Sequence, residues 1–111
     1  MQGKLFKLPV TIFKFLDNFH HHAEIPSNEP IELIFHLLHR RLAELIIIKD
    51  DPSKLKKAPW QLSRLKSQAN HFSLDQLIKL HAQLLEIDYL IKSGQSPHSL
   101  TVHLDILLAR I

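Results

Sequence analysis

Three of the six prolines stand at the start of Leu- and Ile-rich segments, at Pro30, Pro59 and Pro97. Proline suits the first turn of an α-helix because its missing N–H would have no partner there and its φ is already helical. Glycine occurs only at Gly3 and Gly94, Val occurs twice, and Tyr and Trp occur once each. The sequence therefore favours helices over a sheet.

The first half predicts two helices of different character. After a loose lead-in at residues 1–8, a short amphipathic segment begins at Pro9 or Thr11. A longer helix is expected to run to about Lys49, with Asn28 as its N-cap and Pro30 in its first turn. Its apolar residues cover more than one face, so we expect this helix to be central, with neighbours on most sides.

The second half predicts three more helices. One begins at Pro59 and ends near Asn70, with Trp60 and Leu65 among its packing residues. The next follows a capping box, in which the Ser73 hydroxyl accepts the N–H of Gln76 and the Gln76 side chain reaches back. The remaining signals are the left-handed C-cap Gly94, the N-cap Ser96, the first-turn Pro97 and the apolar stripe Leu100, Leu104, Leu107, Leu108 and Ile111.

The expected architecture is an all-α, compact bundle of about five helices. A chain of 111 residues with 45% hydrophobic residues is the length of one domain and is able to form a core, so we expect a single helical domain over residues 1–111. Cysteine is absent, which excludes disulfides and thiolate metal sites in this chain. The apolar runs are too short to cross a bilayer, and we expect a cytoplasmic protein with no membrane contact.

Catalytic signatures are missing from the sequence. The two glycines, Gly3 and Gly94, are too few and too far apart for a phosphate-binding or dinucleotide-binding loop. We recognise no Ser nucleophile elbow and no supported carboxylate pair. We therefore expect no enzyme activity, no catalytic residues, no cofactor and no small-molecule substrate.

Nine histidines leave a metal-binding alternative open. His20, His21 and His22 are adjacent, but consecutive histidines without an acidic partner are usually solvated. His36 and His39 are three residues apart on one helix, and His81 lies on another, so these three are a conceivable ligand set. Because no second-shell partner stands out for either group, we predict no metal site and expect partly buried or interface histidines instead.

Positively charged residues form two further candidate contact sites. The net charge is +3, and a basic run contains Lys54, Lys56 and Lys57 and continues to Arg64 and Lys66. A solvated connector is the favoured interpretation, since the run lacks the interleaved aromatic residues of a single-strand binder.

Adjacent arginines, Arg40 and Arg41, lie in the middle of the central helix. Because the surrounding positions are apolar, one of the two must point toward neighbouring helices or toward a partner. A structural ion pair with Glu44 or Asp88 and a contact with another subunit are the two interpretations.

Five signals in one order resemble the C-terminal, or collar, domain of the delta subunit of the bacterial DNA polymerase III clamp loader. They are the Glu29-Pro30 start that leads to Leu38-His39-Arg40-Arg41 and Ile48-Lys49, the Ala58-Pro59-Trp60 opening, the Phe72-Ser73 helix start, the Asp88, Lys92 and Gly94 helix end, and the last Leu-rich helix. The similarity covers roughly residues 11–111. It implies a collar-like helical bundle and a place in DNA replication.

The resemblance also implies a function in ring assembly. In that family the collar follows two N-terminal domains of the AAA+ type, and the sequence has no counterpart of them. Clamp opening and ATP hydrolysis are therefore not carried over. The implied partners are the other clamp-loader subunits, which would pack helix to helix against this domain, and at most a weak contact with DNA is expected. Candidate interface residues are Arg40, Arg41, Leu100, Leu104, Leu107 and Leu108, together with the outer strip of the helix over residues 73–93.

Two other classes of function make different structural predictions. A small basic nucleic-acid-binding module would place the cations from Lys54 to Lys66 on one face and would bind DNA in a salt-dependent manner. A metal- or ligand-binding bundle would bring His36, His39 and His81 to one point. An assembly module instead predicts contiguous apolar surface, which is typical of partner sites.

Overall fold

The longest helix organises the fold. The computed structural model describes residues 9–21 and 23–111, and these contain five α-helices and two short 3₁₀ turns but no strand. The helices are α1 (Val10–Asn18), α2 (Ile31–Asp50), α3 (Pro59–Ala69), α4 (Leu74–Lys92) and α5 (Leu100–Ala109), and the 3₁₀ turns are Phe19–His21 and Pro52–Lys54. Each of the other four helices packs against α2. The prediction of an all-α bundle with a central second helix is confirmed.

A single core lies along one side of α2. Along this helix the buried residues recur every three or four positions, which keeps them on one inner side, whereas the partly buried residues between them contact the edges of the core. The buried positions of α2 are Ile34, Phe35, Leu38, Leu42, Leu45 and Ile48. Each fully buried Leu or Ile contributes about 1.5–3 kcal/mol of hydrophobic stabilisation. Residues 1–8, for which we predict a loose lead-in, lie outside the described residues.

The boundaries of α4 follow the predicted chemistry. The Ser73 Oγ accepts a hydrogen bond from the Gln76 N–H at 3.1 Å, and the Ser73 N–H donates to Gln76 Oε1 at 2.8 Å. Gly94 has a φ of +73°, a left-handed conformation that side chains with a Cβ rarely adopt. Phe72, directly before the cap, is buried and stacks on Phe19 with 5.8 Å between ring centroids.

Two predicted N-caps are wrong. Pro30 is extended, with ψ of 127°, so α2 begins at Ile31 and Pro30 itself is the N-cap residue. Asn28 therefore lies too early to bond the first free amides, and its side chain does not cap the helix. The second wrong N-cap is Ser96. Helix α5 begins at Leu100, and Ser99 caps it by accepting the Val102 N–H at 3.3 Å.

Ser96 forms hydrogen bonds within a local turn instead of capping α5. Its Oγ accepts the His98 N–H at 3.1 Å and lies 2.6 Å from His103 Nε2. Such short-range hydrogen bonds compete with helix initiation. The helix is consequently capped by the next serine, Ser99, and Pro97 lies outside it rather than in its first turn.

Trp60 also differs from the prediction, because its side chain is 61% exposed. The inner face of α3 is formed by Leu65, Gln68 and Ala69. Trp60 and Leu65 are five positions apart, and at 3.6 residues per turn their side chains point about 140° away from each other. Trp60 therefore points away from the core that Leu65 enters.

Candidate protein interaction surface

The last helix does not expose the leucines that we predicted at an interface. Leu104, Leu107 and Leu108 are buried in the core of the chain itself, and Leu100 is partly buried against that core. The expectation of an outward-facing leucine surface is therefore wrong for the first three. Helix α5 packs against both α2 and α4, so its most apolar face is used inside the domain.

The outer face of α5 is nevertheless apolar. Val102, Ile106 and Ala109 are exposed and are spaced four and three residues apart, which places them on one side of the helix. Thr101 and Asp105 lie beside this stripe and are exposed as well. The apolar surface of α5 is thus narrow and has a polar margin.

Helix α4 carries a longer exposed stripe. Ile78, Ala82, Leu85 and Tyr89 follow one another at spacings of four, three and four residues, the repeat of a single helix face. Leu85 is 50% exposed and Tyr89 is 63% exposed. We call these four residues the α4 stripe. It spans twelve residues, which corresponds to about three turns of helix.

Polar groups border the α4 stripe. The neighbouring exposed positions include Lys79, Gln83 and Glu86, and Asp88 forms an ion pair with Lys92 at 3.1 Å. That pair has the predicted i, i+4 spacing. Helices α4 and α5 contact each other, so the two apolar stripes lie on neighbouring helices. An apolar centre with a polar rim is the usual composition of a protein interface.

Arg40 and Arg41 have different environments. Arg41 is mostly buried, and its Nη1 donates to Asp17 Oδ1 at 2.9 Å, to Gln68 Oε1 at 2.9 Å and to the Leu16 carbonyl at 3.2 Å. Its Nε also lies 3.8 Å from Glu44, the partner that the sequence suggested. Arg41 thus ties α1, α2 and α3 together, whereas Arg40 is exposed on α2.

Acidic residues neutralise part of the basic run. Lys57 Nζ lies 2.9 Å from Glu44, and Arg64 Nη2 lies 2.6 Å from Asp17. Lys54, Lys56 and Lys66 are exposed. Since two of the five cations serve intramolecular ion pairs, the charge that remains for phosphate is smaller than the sequence count suggests.

An open groove between α1 and α3 brings several of these side chains together. The volume of this groove is about 640 Å³. Its lining includes the exposed aromatic rings of Phe13 and Trp60 as well as Arg41 and its partners Asp17 and Gln68. His20 and His71 also line it. The groove therefore combines apolar rings with charged and imidazole groups.

His39 and His81 meet across α2 and α4. Their ring centroids are 4.3 Å apart, and His39 Nε2 is buried with no hydrogen-bond partner among the described residues. Burial and the neighbouring His81 ring lower the pKa of His39, and His36 lowers it further, while Asp88 opposes them. His36 is exposed, and within the described ranges these three histidines do not form a close ligand group.

Acid should destabilise the fold through His39. Its folded pKa lies below the ordinary value of about 6.5, so on acidification the unfolded chain takes up a proton first. We expect the thermal unfolding midpoint to fall between pH 7.5 and pH 5, and to fall less in His39→Gln, as followed by circular dichroism. Identical pH profiles for the two proteins would contradict this role of His39.

The sequence grouped His20 and His21 with His22, which lies outside the described residues, and did not indicate His71 as their neighbour. His20 and His21, in the 3₁₀ turn after α1, lie beside His71 in the turn between α3 and α4. Burial, His21 and His71 lower the pKa of His20 to about 4, so the ring is neutral at pH 7. About fifty residues separate His71 from the other two, and no local pattern relates residues that far apart.

Comparison with known proteins identifies the family. The family model for the DNA polymerase III delta subunit, C-terminal domain, matches residues 27–109. The match covers α2 through α5, and α1 lies before it. The comparisons with curated proteins and with solved structures gave no match. None of the described helices is long and apolar enough to span a membrane. The chain belongs to the family of the C-terminal domain of the DNA polymerase III delta subunit, a clamp-loader component of DNA replication.

Proposed function

We propose that this chain is a non-catalytic assembly domain of a clamp-loader delta-like subunit, and that it packs helix to helix against other loader subunits. The observation that carries the proposal is the α4 stripe, an exposed apolar face on a helix within the residues that match the delta family. A face of this kind gains free energy when a partner helix removes it from water, at roughly 25 cal/mol per Å² of apolar surface.

The proposed contact surface combines α4 and α5. The α4 stripe forms its centre, and Val102 and Ile106 extend it onto the neighbouring helix. Interfaces of stable complexes bury about 800 Å² on each partner, which is roughly a ninth of the 7189 Å² accessible surface of this chain. We infer that parts of two adjacent helices suffice for such a contact. Arg40, exposed on α2, is a further candidate contact.

The structure supports protein assembly better than nucleic-acid binding. The exposed apolar side chains follow a regular helical repeat, whereas the basic run has lost Lys57 and Arg64 to intramolecular pairs. If phosphate contacts dominated, affinity for DNA would fall steeply as salt rises. If apolar contacts between helices dominate, association with loader subunits should depend only weakly on salt.

Association with the other clamp-loader subunits tests the proposal. A Leu85→Ser/Tyr89→Ser variant should bind them at least about tenfold more weakly, because both residues lie at the centre of the proposed surface, where truncating a large side chain costs about 1–2 kcal/mol or more. Size-exclusion chromatography and titration calorimetry would measure the loss. Both residues are exposed, so the variant should keep the circular dichroism spectrum of the original chain.

The matched control removes similar apolar surface from another helix. Val10 and Phe13 are exposed on α1, outside the residues that match the family. A Val10→Ser/Phe13→Ser variant should associate with loader subunits as the original chain does. Equal losses in the two variants, or unchanged binding of the α4 variant, would overturn the proposed surface.

A further inference from the structure

Three imidazole rings converge at one end of the bundle. The centroids of His20 and His21 are 4.0 Å apart, those of His20 and His71 are 4.2 Å apart, and those of His21 and His71 are 5.2 Å apart. One ring nitrogen from each residue lies within 4.8 Å of the corresponding nitrogens of the other two. Among the described residues, no other group of three or more His, Asp or Glu meets this condition.

Buried aromatic packing holds the two turns in place. Phe19 precedes His20 and Phe72 follows His71, and these phenylalanines are buried and stack on each other. The His71 N–H also donates to the Gln68 carbonyl at 3.1 Å, which closes the turn that carries it. The backbones of all three histidines are therefore positioned by the core, while the side chains of His21 and His71 are exposed.

The spacing suits a transition-metal ion. Zn²⁺ binds imidazole nitrogen at about 2.0–2.1 Å, so neighbouring ligand nitrogens in a tetrahedral site lie about 3.4 Å apart. Rotation of the two exposed rings needs to close only about 1–1.5 Å at the widest separation to reach that geometry. Three nitrogen ligands leave the fourth position to water, and imidazole is a good ligand for Zn²⁺, Cu²⁺ and Ni²⁺.

Metal binding breaks one hydrogen bond, the contact between Gln68 and His20. Its Nε2 lies 3.3 Å from His20 Nδ1, a contact that is given up when a metal ion binds, since Nδ1 then either carries the ring proton or coordinates the ion. Gln68 keeps its stronger hydrogen bonds, from Nε2 to the Leu16 carbonyl at 2.8 Å and from Arg41 to Oε1 at 2.9 Å. The hydrogen bond that is lost is therefore the longest of these three.

We propose that His20, His21 and His71 form a site for one divalent transition-metal ion of the Zn²⁺ class. The bound ion links the turn after α1 to the turn between α3 and α4, two segments that are distant in sequence. It fastens α1, which lies before the family match, to the rest of the bundle. The site is independent of the proposed assembly surface on α4 and α5.

Titration of tag-free, chelator-treated protein with ZnCl₂ and NiCl₂ tests the site. We expect saturable binding of one ion per chain by calorimetry and a rise in the thermal unfolding midpoint when the metal is added. His71→Gln should weaken binding by at least about tenfold, since even the loss of an outer-shell partner has an effect of about 10–100-fold. His71 is exposed, so this variant should fold normally.

His36→Gln is the matched control, because His36 is an exposed histidine outside the cluster. It should bind the metal as the original chain does. If His71→Gln retains full affinity, the ion is held by the adjacent histidines of one loop alone and the three-residue site is wrong. Equal losses in both variants, or no saturable binding in the unmodified protein, would also overturn the proposal.

Discussion

Replacing Leu84 by alanine should lower the free energy of unfolding by about 2–5 kcal/mol. The side chain is 0% exposed and lies on α4, which packs against the central helix α2. Its truncation removes buried apolar surface and leaves a cavity that the surrounding helices fill only in part. A loss of this size is a large fraction of the 5–15 kcal/mol that stabilises a typical domain.

The next residue provides the control for Leu84. Leu85 has the same side chain on the same helix but is 50% exposed in the α4 stripe. Leu85→Ala should change the free energy of unfolding by no more than about 0.5 kcal/mol. Equilibrium denaturation in urea, followed by circular dichroism, would measure both variants. Similar losses for the two leucines would show that α4 is rotated relative to the position described above.

Replacement of Arg41 by methionine should cost about 1.5–3 kcal/mol. Methionine preserves most of the apolar stem but leaves Gln68 Oε1 without its charged donor, while the Leu16 carbonyl keeps its hydrogen bond from Gln68 Nε2. The Asp17 carboxylate keeps its ion pair with Arg64, and both Arg41 and Asp17 retain some solvent contact. The loss is for this reason expected to be smaller than the 3–5 kcal/mol typical of breaking a fully buried pair.

Arg40→Met separates the two interpretations of the arginine pair. Arg40 is exposed, so its replacement should alter stability by no more than about 0.5 kcal/mol. If Arg40 contacts a clamp-loader partner, as proposed, the same variant should weaken association while leaving the melting curve unchanged. Arg41→Met should instead lower the free energy of unfolding more than it weakens association. Equal destabilisation by the two replacements would contradict the network described for Arg41.

Much of the helical organisation could be predicted from short stretches of sequence. The capping box at Ser73 and Gln76 and the left-handed Gly94 involve groups within a few residues of one another, and both predictions are confirmed. The central position of α2 followed from its apolar residues on more than one face. The predicted caps at Asn28 and Ser96 were wrong because Pro30 and Ser99 occupy the N-cap positions instead.

The candidate interaction surface could be predicted only in outline. The apolar composition of α4 and α5 indicated more hydrophobic side chains than one core requires. It did not show which of them turn inward, and the predicted exposure of Leu104 was wrong, whereas Val102 and Ile106 are exposed. When both faces of a helix are apolar, the pattern is compatible with several rotations about the helix axis, and packing against neighbours selects one.

The sequence by itself determined the fold class, the number of helices and the delta-family resemblance, because caps, turns and hydrophobic repeats act over a few residues. Only the tertiary structure decided that Arg41 joins Asp17 and Gln68 while Arg40 faces solvent, and that His71 meets His20 and His21. These contacts link residues 24 to 51 positions apart. Their formation depends on how whole helices dock around the core, and that arrangement is set by the combined packing of all five.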